Sequence, residues 1–549
     1  MQQAEVNAVC SILWCYERRK LMDRRLKRGA GILLPISSLP SPYGIGTFGR
    51  AAYEFADKLK RAGQKYWQVL PIGPTSYGDS PYQSFSTFAG NPYFIDLDML
   101  AEEGLLDKES LAEIDWGQAE DDIDYSKIYE NRFKVLKEAF SRTKECEGAE
   151  YNTFISENKE WIEDYALFMS CKEHFGQKEW LLWDEDIKTR KPDAVQKYSE
   201  MLKEQTGFWK YVQFKFYSQW KKLKRFVNSR GIKIIGDIPI YVALDSSDVW
   251  ANPAQYQLDT DLKPVDVAGC PPDIFSSYGQ KWGNPLYNWE VMEKDGFKWW
   301  KRRMQSAAGM YDVIRIDHFI GMAKYYAIPA GGVPAEGEYR LGPGRKLTDA
   351  IDEAIGDAQI IAEDLGVAMP EAKKLLNETG YPGMKVLEFA FDGSCTNEYL
   401  PHNYGKNCVV YTGTHDNETL SGYLRTLGGK GYNYLKAYTG CKDREELALN
   451  VMKLAYGSVA DTAVLQMQDI LFKDNAARMN LPSTIGQNWR WRLKKGEFAQ
   501  MEAEKLFDMA NIYNRLPEET YKELQARENR KHTKGIRGQK NKSRMLYRQ

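Results

Sequence analysis

The stretch Val313-Ile314-Arg315-Ile316-Asp317-His318 places a carboxylate directly after an apolar run, and the chain repeats this arrangement. Ile360-Ile361-Ala362 is followed at once by Glu363, and Val409-Val410-Tyr411 is followed shortly by Asp416. Each apolar run predicts a strand buried on both faces, as in a parallel sheet. Carboxylates at the carboxyl ends of such strands lie where a parallel barrel opens to its substrate, so the three are predicted to share one pocket.

Short apolar runs alternate with charged stretches of helical pattern along the chain. Strand alternating with helix predicts a parallel sheet, and eight repeats close into a barrel. The predicted fold class is therefore α/β: a (β/α)8 TIM barrel with inserted, largely helical subdomains around its C-terminal mouth. Helices are predicted at Arg50–Ala62 and Phe208–Ser229. The predicted strands are Gly31–Pro35, Tyr66–Pro71, Ile232–Asp237, Asp312–Asp317, Gln359–Asp364, Met384–Phe389, Cys408–Gly413 and Ala463–Asp469.

The spacing of these runs divides the chain into a barrel and two insertions. We predict a catalytic barrel over residues 29–522, interrupted by insertions at about 72–230 and 238–311. The first insertion is charged, aromatic and helical in pattern from about Leu100 to Lys224. The second contains a proline-stiffened segment, from about Asp248 to Pro285, that predicts a lid over the mouth. Its aromatic residues are expected to provide binding surface: Trp250, Tyr256, Phe275, Tyr278 and Trp282.

The two ends of the chain lack the pattern of the barrel. Residues 1–28 are predicted to be an N-terminal extension outside the fold, and residues 523–549 a basic C-terminal tail. The stretch Glu17-Arg18-Arg19-Lys20 can be encoded by a purine-rich ribosome-binding site, which predicts that translation starts at Met22. Residues 1–21 are then expected to carry little packing.

Composition and charge narrow the class of protein. The 549 residues are 43% apolar, enough for a large core, and the formal net charge of −1 gives no reason to expect nucleic acid or an anionic membrane as partner. The apolar run from Ala8 to Trp14 is too short to span a bilayer, so a cytoplasmic protein is predicted. Aromatic residues form 13% of the chain, which suits sugar faces but equally an ordinary core.

Cysteine usage gives no sign of a metal or a disulfide framework. The eight cysteines are scattered without a C-x-x-C pair, which predicts free thiols. Cys171 and His174 would supply half of a metal site, but no second half has suitable spacing, so a packed pair on a helix is the better interpretation. No metal and no cofactor are predicted.

The residues around Asp317 suggest a nucleophile. Arg315 and Asp317 are two apart on a predicted strand, so both side chains leave the same face and point into the mouth. A guanidinium beside a carboxylate lowers the pKa of that carboxylate, so we expect Asp317 to be ionised. The structural alternative is an Arg–Asp pair that only supports the mouth, and Asp237 at the third strand is the best candidate for such a role.

Glu363 and Asp416 complete the predicted chemistry. Like charges nearby should raise the pKa of Glu363, which suits a general acid that still holds its proton near neutral pH. Asp416, with His415 beside it, is placed to stabilise developing positive charge. This division of roles fits a retaining glycosidase mechanism, in which the two principal carboxyl groups stand roughly 5–5.5 Å apart. At any single position, a helix cap remains an alternative.

Seven fragments of the chain resemble, in order, the motif set of the amylomaltases, from about Gly29 to Arg492. The resemblance implies a (β/α)8 barrel with Asp317 as nucleophile, Glu363 as acid/base and Asp416 as transition-state stabiliser. It also implies support from Arg315, His415 and Asp237, and substrate binding by Ser80, Tyr82, Asp273, Gln280, Trp282, Asn284 and Asn480. The fragments are Ser80-Pro81-Tyr82-Gln83, Asn91-Pro92, Gly236-Asp237-Ile238-Pro239, Trp282-Gly283-Asn284-Pro285, Arg315-Ile316-Asp317-His318, Glu363-Asp364-Leu365-Gly366 and His415-Asp416-Asn417.

The resemblance implies a 4-alpha-glucanotransferase that acts on maltooligosaccharides and alpha-1,4-glucans without a cofactor. An alpha-amylase-type hydrolase is the alternative, because it would use the same carboxylates and differ only in whether water wins the second step. A glucan-binding protein with a degenerate site is a further alternative, but its signature would be the loss of a catalytic acid, and all three acids are present.

Overall fold

The computed structural model describes residues 25–76, 78–143, 148–272, 276–367, 369–444, 446–527 and 529. Four predictions concern residues outside these ranges: translation from Met22, substrate binding by Asp273, the aromatic surface of Phe275, and the greater part of the basic tail. The described ranges hold all eight predicted strands and the remaining candidate site residues.

Both predicted ends of the barrel fall inside packed structure. Leu26, within the predicted extension, is only 2% exposed. The Arg28 guanidinium donates to the carbonyls of Ala460 and Tyr513 at 3.0 Å, which ties the start of the chain to its C-terminal part. At the other end, a helical run over residues 518–527 crosses the predicted start of the tail.

The described residues contain a parallel eight-stranded sheet and a separate antiparallel sheet of four strands. The strands in chain order are β1 (Gly29–Leu33), β2 (Tyr66–Gln68), β3 (Lys233–Ile238), β4 (Asp266–Cys270), β5 (Gln280–Pro285), β6 (Val313–Ile316), β7 (Lys324–Pro329), β8 (Glu338–Leu341), β9 (Gln359–Ala362), β10 (Gly383–Val386), β11 (Cys408–Tyr411) and β12 (Thr462–Gln466).

The parallel sheet forms the barrel. Its strands are hydrogen-bonded in the order β10-β11-β12-β1-β2-β3-β6-β9. The Ala362 N–H donates to the Pro382 carbonyl at 3.0 Å, which links the last strand of that order to the first. Each predicted strand overlaps one of these eight, so the predicted (β/α)8 barrel is confirmed. The predictions ran two or three residues too far at several carboxyl ends, because the chain there leaves the ladder and turns into the mouth.

Helices cover the outside of the barrel and fill the first insertion. Arg50–Arg61 joins β1 to β2 and buries Ala52, Phe55 and Leu59 at helical spacing, which fixes it against the sheet. The crossover into β3 is the long helix Lys203–Ser229, which begins five residues before its predicted start. The remaining helices are Leu97–Glu102, Lys108–Ala112, Tyr125–Arg142, Ala149–His174, Glu185–Lys188, Pro192–Met201, Ser247–Ala251, Trp289–Lys294, Lys298–Met310, Ile320–Ala323, Arg345–Ala354, Pro370–Thr379, Leu420–Thr426, Gly429–Thr439, Leu447–Gly457, Met467–Ile470 and Gln500–Ile512.

The antiparallel sheet stands beside the mouth and was not predicted from the sequence. Its order is β5-β4-β7-β8, so the loop after β3 supplies two strands and the loop after β6 supplies the other two. Trp282 on β5 and Tyr339 on β8 both line the cleft at the mouth. The sheet therefore forms a wall of that cleft.

The predicted aromatic surface of the lid is only partly correct. Trp250 and Tyr256 are 1% and 3% exposed and belong to the core, because they pack under the loop rather than over the mouth. Tyr278 is 86% exposed, and Trp282 lines the cleft. Phe275 lies outside the described residues.

Cys171 and His174 lie near the end of the helix Ala149–His174, as predicted for a packed pair. Cys171 is buried as a free thiol, and the His174 ring meets Phe175 edge-on. Among the described residues, no group of three or more potential metal ligands is assembled. No helix of the described residues combines the length and the apolar character needed to cross a membrane.

Candidate active site

A cleft of about 510 Å³ opens at the carboxyl ends of the barrel strands, and Asp317, Glu363 and Asp416 all line it. Asp317 directly follows β6 and Glu363 directly follows β9. These two strands are paired in register, Ile316 opposite Ala362, so the two carboxylates leave the sheet side by side. Asp416 comes from the loop after β11. The topology thus brings the three predicted carboxylates to one cleft.

A buried chain of polar contacts holds Asp317 from below. Arg315 Nη1 donates to both carboxylate oxygens of Asp237, at 2.8 and 2.7 Å, and to Asp317 Oδ1 at 3.0 Å. The Tyr82 hydroxyl donates to Asp237 Oδ2 at 2.8 Å. The side chains of Arg315 and Asp237 are only 3% and 0% exposed. Such a desolvated pair is rigid, because neither charge has water as an alternative partner.

The pKa of Asp317 corrects the prediction made from the sequence. Arg315 does lower this pKa, as predicted, but burial outweighs it and, with the charges of Asp237 and Asp416, raises the pKa to about 7. The prediction of a lowered pKa was wrong because the depth at which the strand end is buried depends on distant parts of the chain.

The pKa of Glu363 is also raised. Burial is the main cause that raises the pKa of Glu363 to about 8, and the charge of Asp317 adds to it. The direction agrees with the prediction, although crowding is the smaller cause. Its carboxylate accepts the backbone N–H groups of His318 and Leu365, both at 2.7 Å, and these oppose the rise. The Arg315 guanidinium donates to Asp317, so a negative charge on this pair is better stabilised on Asp317 and a shared proton is favoured on Glu363.

Backbone conformation helps to orient Glu363. His318 adopts a φ of 50°, in the left-handed region that L residues rarely occupy. Its N–H donates to Glu363 Oε2 in this conformation. The His318 ring is buried, which lowers its pKa to about 4, so it is a neutral imidazole near neutral pH.

Asp416 is held by Asn480 and flanked by His415. The Asn480 amide donates to Asp416 Oδ1 at 2.6 Å, and His415 Nε2 lies 3.3 Å from Asp416 Oδ2. Burial lowers the pKa of His415 against the opposing effect of Asp416. The ring of His415 is stacked on Tyr82 with centroids 5.1 Å apart, so one face of this tyrosine is already occupied.

The predicted substrate-binding residues divide into two groups. Ser80, Tyr82, Gln280, Trp282, Asn284 and Asn480 all line the cleft. Asp237 lies beneath it and reaches the site only through its partners. Asn284 is largely committed to the protein, because its amide donates to the Val242 carbonyl at 2.8 Å and its oxygen accepts from Gln83 at 3.1 Å. Trp282 meets the His318 ring edge-on at 4.8 Å.

Several residues that line the cleft were not predicted. Gln83 and His318 stand inside fragments already singled out, so the signal for them was present in the motifs. Tyr241, Tyr339 and Trp489 also line the cleft. These three come from loops and from the second sheet, and no local pattern marked them.

The fold and the site together define a class of protein. The described residues form a (β/α)8 barrel whose mouth holds two neighbouring carboxyl groups with raised pKa, a third carboxyl group and aromatic walls. This arrangement is suited to the cleavage and re-formation of glycosidic bonds.

Comparison with known proteins places the chain within that class. The family model Glyco_hydro_77, described as 4-alpha-glucanotransferase, matches residues 34–498. A 4-alpha-glucanotransferase of Clostridium butyricum is 50% identical over 484 residues, which cover 87% of this chain and 99% of the relative. One from Thermus thermophilus is 44% identical over 503 residues, covering 89% and 100%. The amylomaltase from Streptococcus agalactiae, solved in complex with acarbose, aligns with a TM-score of 0.87 at 42% identity and covers 89% of this chain and 100% of that chain.

This chain belongs to the glycoside hydrolase 77 family of 4-alpha-glucanotransferases. Its activity is that of a 4-alpha-glucanotransferase, and its substrates are alpha-glucans. The alternative of an alpha-amylase-type hydrolase has less support, because the matched family and the similar relatives described above are transferases.

Proposed function

We propose that the chain transfers an alpha-1,4-glucan segment in two displacements that use Asp317 as nucleophile. An Asp317 oxygen attacks the anomeric carbon of a maltooligosaccharide donor, and the bond from that carbon to the glycosidic oxygen breaks. The leaving oxygen takes a proton from Glu363, which leaves a glucosyl ester on Asp317. The observation that carries this proposal is the pair of carboxyl groups at neighbouring strand ends, of which Asp317 accepts a hydrogen bond from Arg315.

The second displacement reverses the roles. Glu363, now ionised, takes the proton from the 4-hydroxyl of an acceptor glucan or glucose, and the acceptor oxygen attacks the anomeric carbon and releases Asp317. Two inversions retain the configuration of the anomeric carbon. Asp416, held by Asn480, stabilises the positive charge that develops on the sugar ring in both transition states.

The wall formed by β5 supports transfer over hydrolysis. Water is abundant, so an acceptor sugar competes only if the site orients its hydroxyl toward the ester. Trp282 lines the cleft and contacts His318, the residue next to Asp317. An aromatic ring at this position supports acceptor binding close to the reacting carbon.

The decisive experiment separates the two carboxyl groups. Glu363→Gln should still react with alpha-maltosyl fluoride, whose leaving group needs no proton, and should accumulate a glycosyl ester on Asp317 that mass spectrometry detects. Asp317→Asn should form no ester. Equal loss of activity on the fluoride and on maltotriose in Glu363→Gln would contradict the acid/base role.

We also propose that the protein works in the cytoplasm. Cys171, Cys408 and Cys441 are buried free thiols, and Cys395 is an exposed one. Unpaired cysteines are typical of proteins in reducing compartments. Fractionation of the native host, followed by an assay of transfer from maltotriose, tests the location.

A further inference from the structure

Arg478 contacts the main chain at both residues of the Asp416–Asn480 pair. Its Nη2 donates to the Asp416 carbonyl at 2.7 Å. Its Nε donates to the Asn480 carbonyl at 2.8 Å. One planar guanidinium therefore joins two segments of the chain that lie far apart in sequence, and it does so at the two residues whose side chains share a hydrogen bond of 2.6 Å.

The placement of Arg478 follows from its local structure. It ends the short helical turn Asn475–Ala477 and has extended dihedrals, φ −62° and ψ 134°. In extended chain, side chains two apart leave the same side, so Arg478 and Asn480 both face the loop that carries Asp416. One of them binds the main chain of that loop and the other binds its carboxylate.

Other contacts brace the same loop but do not reach Asp416. The Asn480 N–H donates to the His415 carbonyl at 3.0 Å. Further along, Asn475 accepts the Thr419 N–H at 3.1 Å. Arg478 is the residue of this segment that binds the main chain of Asp416 itself, so its loss would free the peptide from which the carboxylate projects.

A guanidinium suits this task better than an ammonium. Its donors are fixed in one plane, so two carbonyls in different directions are bound at once, whereas a lysine bears one flexible donor group. Nothing in this contact set requires Arg478 to touch a substrate.

We propose that Arg478 is a positioning residue for the transfer reaction, which acts by fixing the orientation of Asp416 relative to the reacting carbon. This inference rests on the role given to Asp416 in the proposed function. A small displacement of a catalytic group costs up to about 10²-fold in rate, because the transition state is stabilised only in the correct geometry. The effect should therefore appear in kcat.

The test is a double-mutant cycle with alpha-maltosyl fluoride as donor and maltose as acceptor. Arg478→Met should lower kcat by about 10–100-fold with KM for the donor changed less than about threefold. Arg478→Lys should recover part of the loss, because one carbonyl can still be bound. In an Asp416→Asn background, the same Arg478→Met change should lower kcat less than about twofold, since its target is already disabled.

Arg425→Met is the matched control. Arg425 lies on the helix Leu420–Thr426 and pairs at 3.4 Å with Asp474 of the Arg478 segment, with 68% of its side chain exposed, so kcat should stay within about twofold of the wild type. Thermal unfolding of every variant distinguishes loss of folding from displacement of Asp416. If Arg478→Met does not fold, the kcat of Arg478→Lys tests the positioning role instead.

Each outcome has a distinct meaning. If the wild-type protein does not convert maltotriose into glucans of greater chain length, the proposed function fails. If it does, but the effects of Arg478→Met and Asp416→Asn simply multiply, only the positioning role is overturned. An unchanged kcat in Arg478→Met would also overturn it.

Discussion

Two cavities lie at opposite ends of the same barrel, and the candidate active site is in the smaller of the two. The cleft at the mouth has a volume of about 510 Å³. A cavity of about 1220 Å³ lies at the other end, the floor, where Lys65, Lys233 and Gln359 stand at the starts of barrel strands. Volume therefore does not single out the cleft that holds the three candidate carboxyl groups.

The state of the charges does distinguish them. At the mouth, Arg315 and Asp237 are paired with 3% and 0% of their side chains exposed. At the floor, the pair Arg230–Asp57 is 32% and 38% exposed. Buried charges perturb one another strongly, whereas exposed ones are screened by water, so the pair at the mouth acts on the neighbouring carboxyl group of Asp317 and the pair at the floor is screened.

The largest expected difference between the two ends concerns activity. Asp317→Asn should lower transfer from maltotriose by at least about 10³-fold, because a covalent nucleophile is removed. Asp57→Asn at the floor removes the same functional group beside an arginine and should leave activity within about twofold. Product analysis by chromatography measures both. An Asp317→Asn enzyme with a tenth of wild-type activity would end the assignment of the nucleophile.

The second largest difference between the two ends is expected in the free energy of unfolding. Arg315→Met leaves Asp237 as an uncompensated buried charge, which should cost about 3–5 kcal/mol of unfolding free energy. Arg230→Met at the floor breaks a pair that water already screens and should cost at most about 1 kcal/mol. Urea unfolding of both variants checks the prediction, and equal costs would show that the buried pair at the mouth is no more critical than the exposed one.

A smaller effect is expected at the wall of the mouth. Trp282→Ala should weaken acceptor binding by about 1–3 kcal/mol if the ring stacks on sugar as aromatic rings stack on bases. The ratio of new reducing ends to chain-transfer products from maltotriose should then rise. Tyr278→Ala is the control, because this residue of the same loop is 86% exposed and the ratio should not change. A lower rate at constant ratio in Trp282→Ala would assign the ring to donor binding.

The smallest effect concerns how stability depends on pH. Burial raises the pKa of Glu363 from 4.5 to about 8. Between these two pH values the folded chain keeps this proton and the unfolded chain has lost it, so the free energy of unfolding falls as pH rises. At the floor, burial and two neighbouring lysines lower the pKa of Lys65 from 10.5 to about 8. The unfolded chain then binds more protons between those values, so stability rises with pH.

Lys65→Met should abolish that alkaline rise, worth about 1 kcal/mol once the partial exposure of Lys65 is considered. Melting temperatures of the wild type and the variant between pH 7 and 10.5 measure it. Identical slopes for the two proteins would contradict the lowered pKa of Lys65.

The barrel could be predicted because its signal is local. Each apolar run, such as Val313–Ile316, carries its own evidence of burial on both faces, and a carboxylate after it marks the end of a strand. The three carboxylates and Arg315 were therefore located from the sequence, and the structure brings them to one cleft.

Properties that depend on distant residues could not be predicted. The pKa of Asp317 depends on how other strands exclude water, and the antiparallel sheet depends on pairing between two separate loops. Trp250 was assigned to a surface because composition alone cannot tell which side of a loop an aromatic ring faces. Arg478 was missed because its partners are two carbonyl groups, which leave no trace in a sequence.

The antiparallel sheet has a consequence for the order of folding. Its central pairing joins Asp266 on β4 to Pro329 on β7, and the barrel strand β6 lies between them in sequence. The chain must close a long loop before this pairing forms, and the cost in entropy is lower once β6 is already held in the barrel. The wall that carries Trp282 and Tyr339 is thus expected to assemble after the barrel, so that a refolding chain regains its core before it regains a complete substrate cleft.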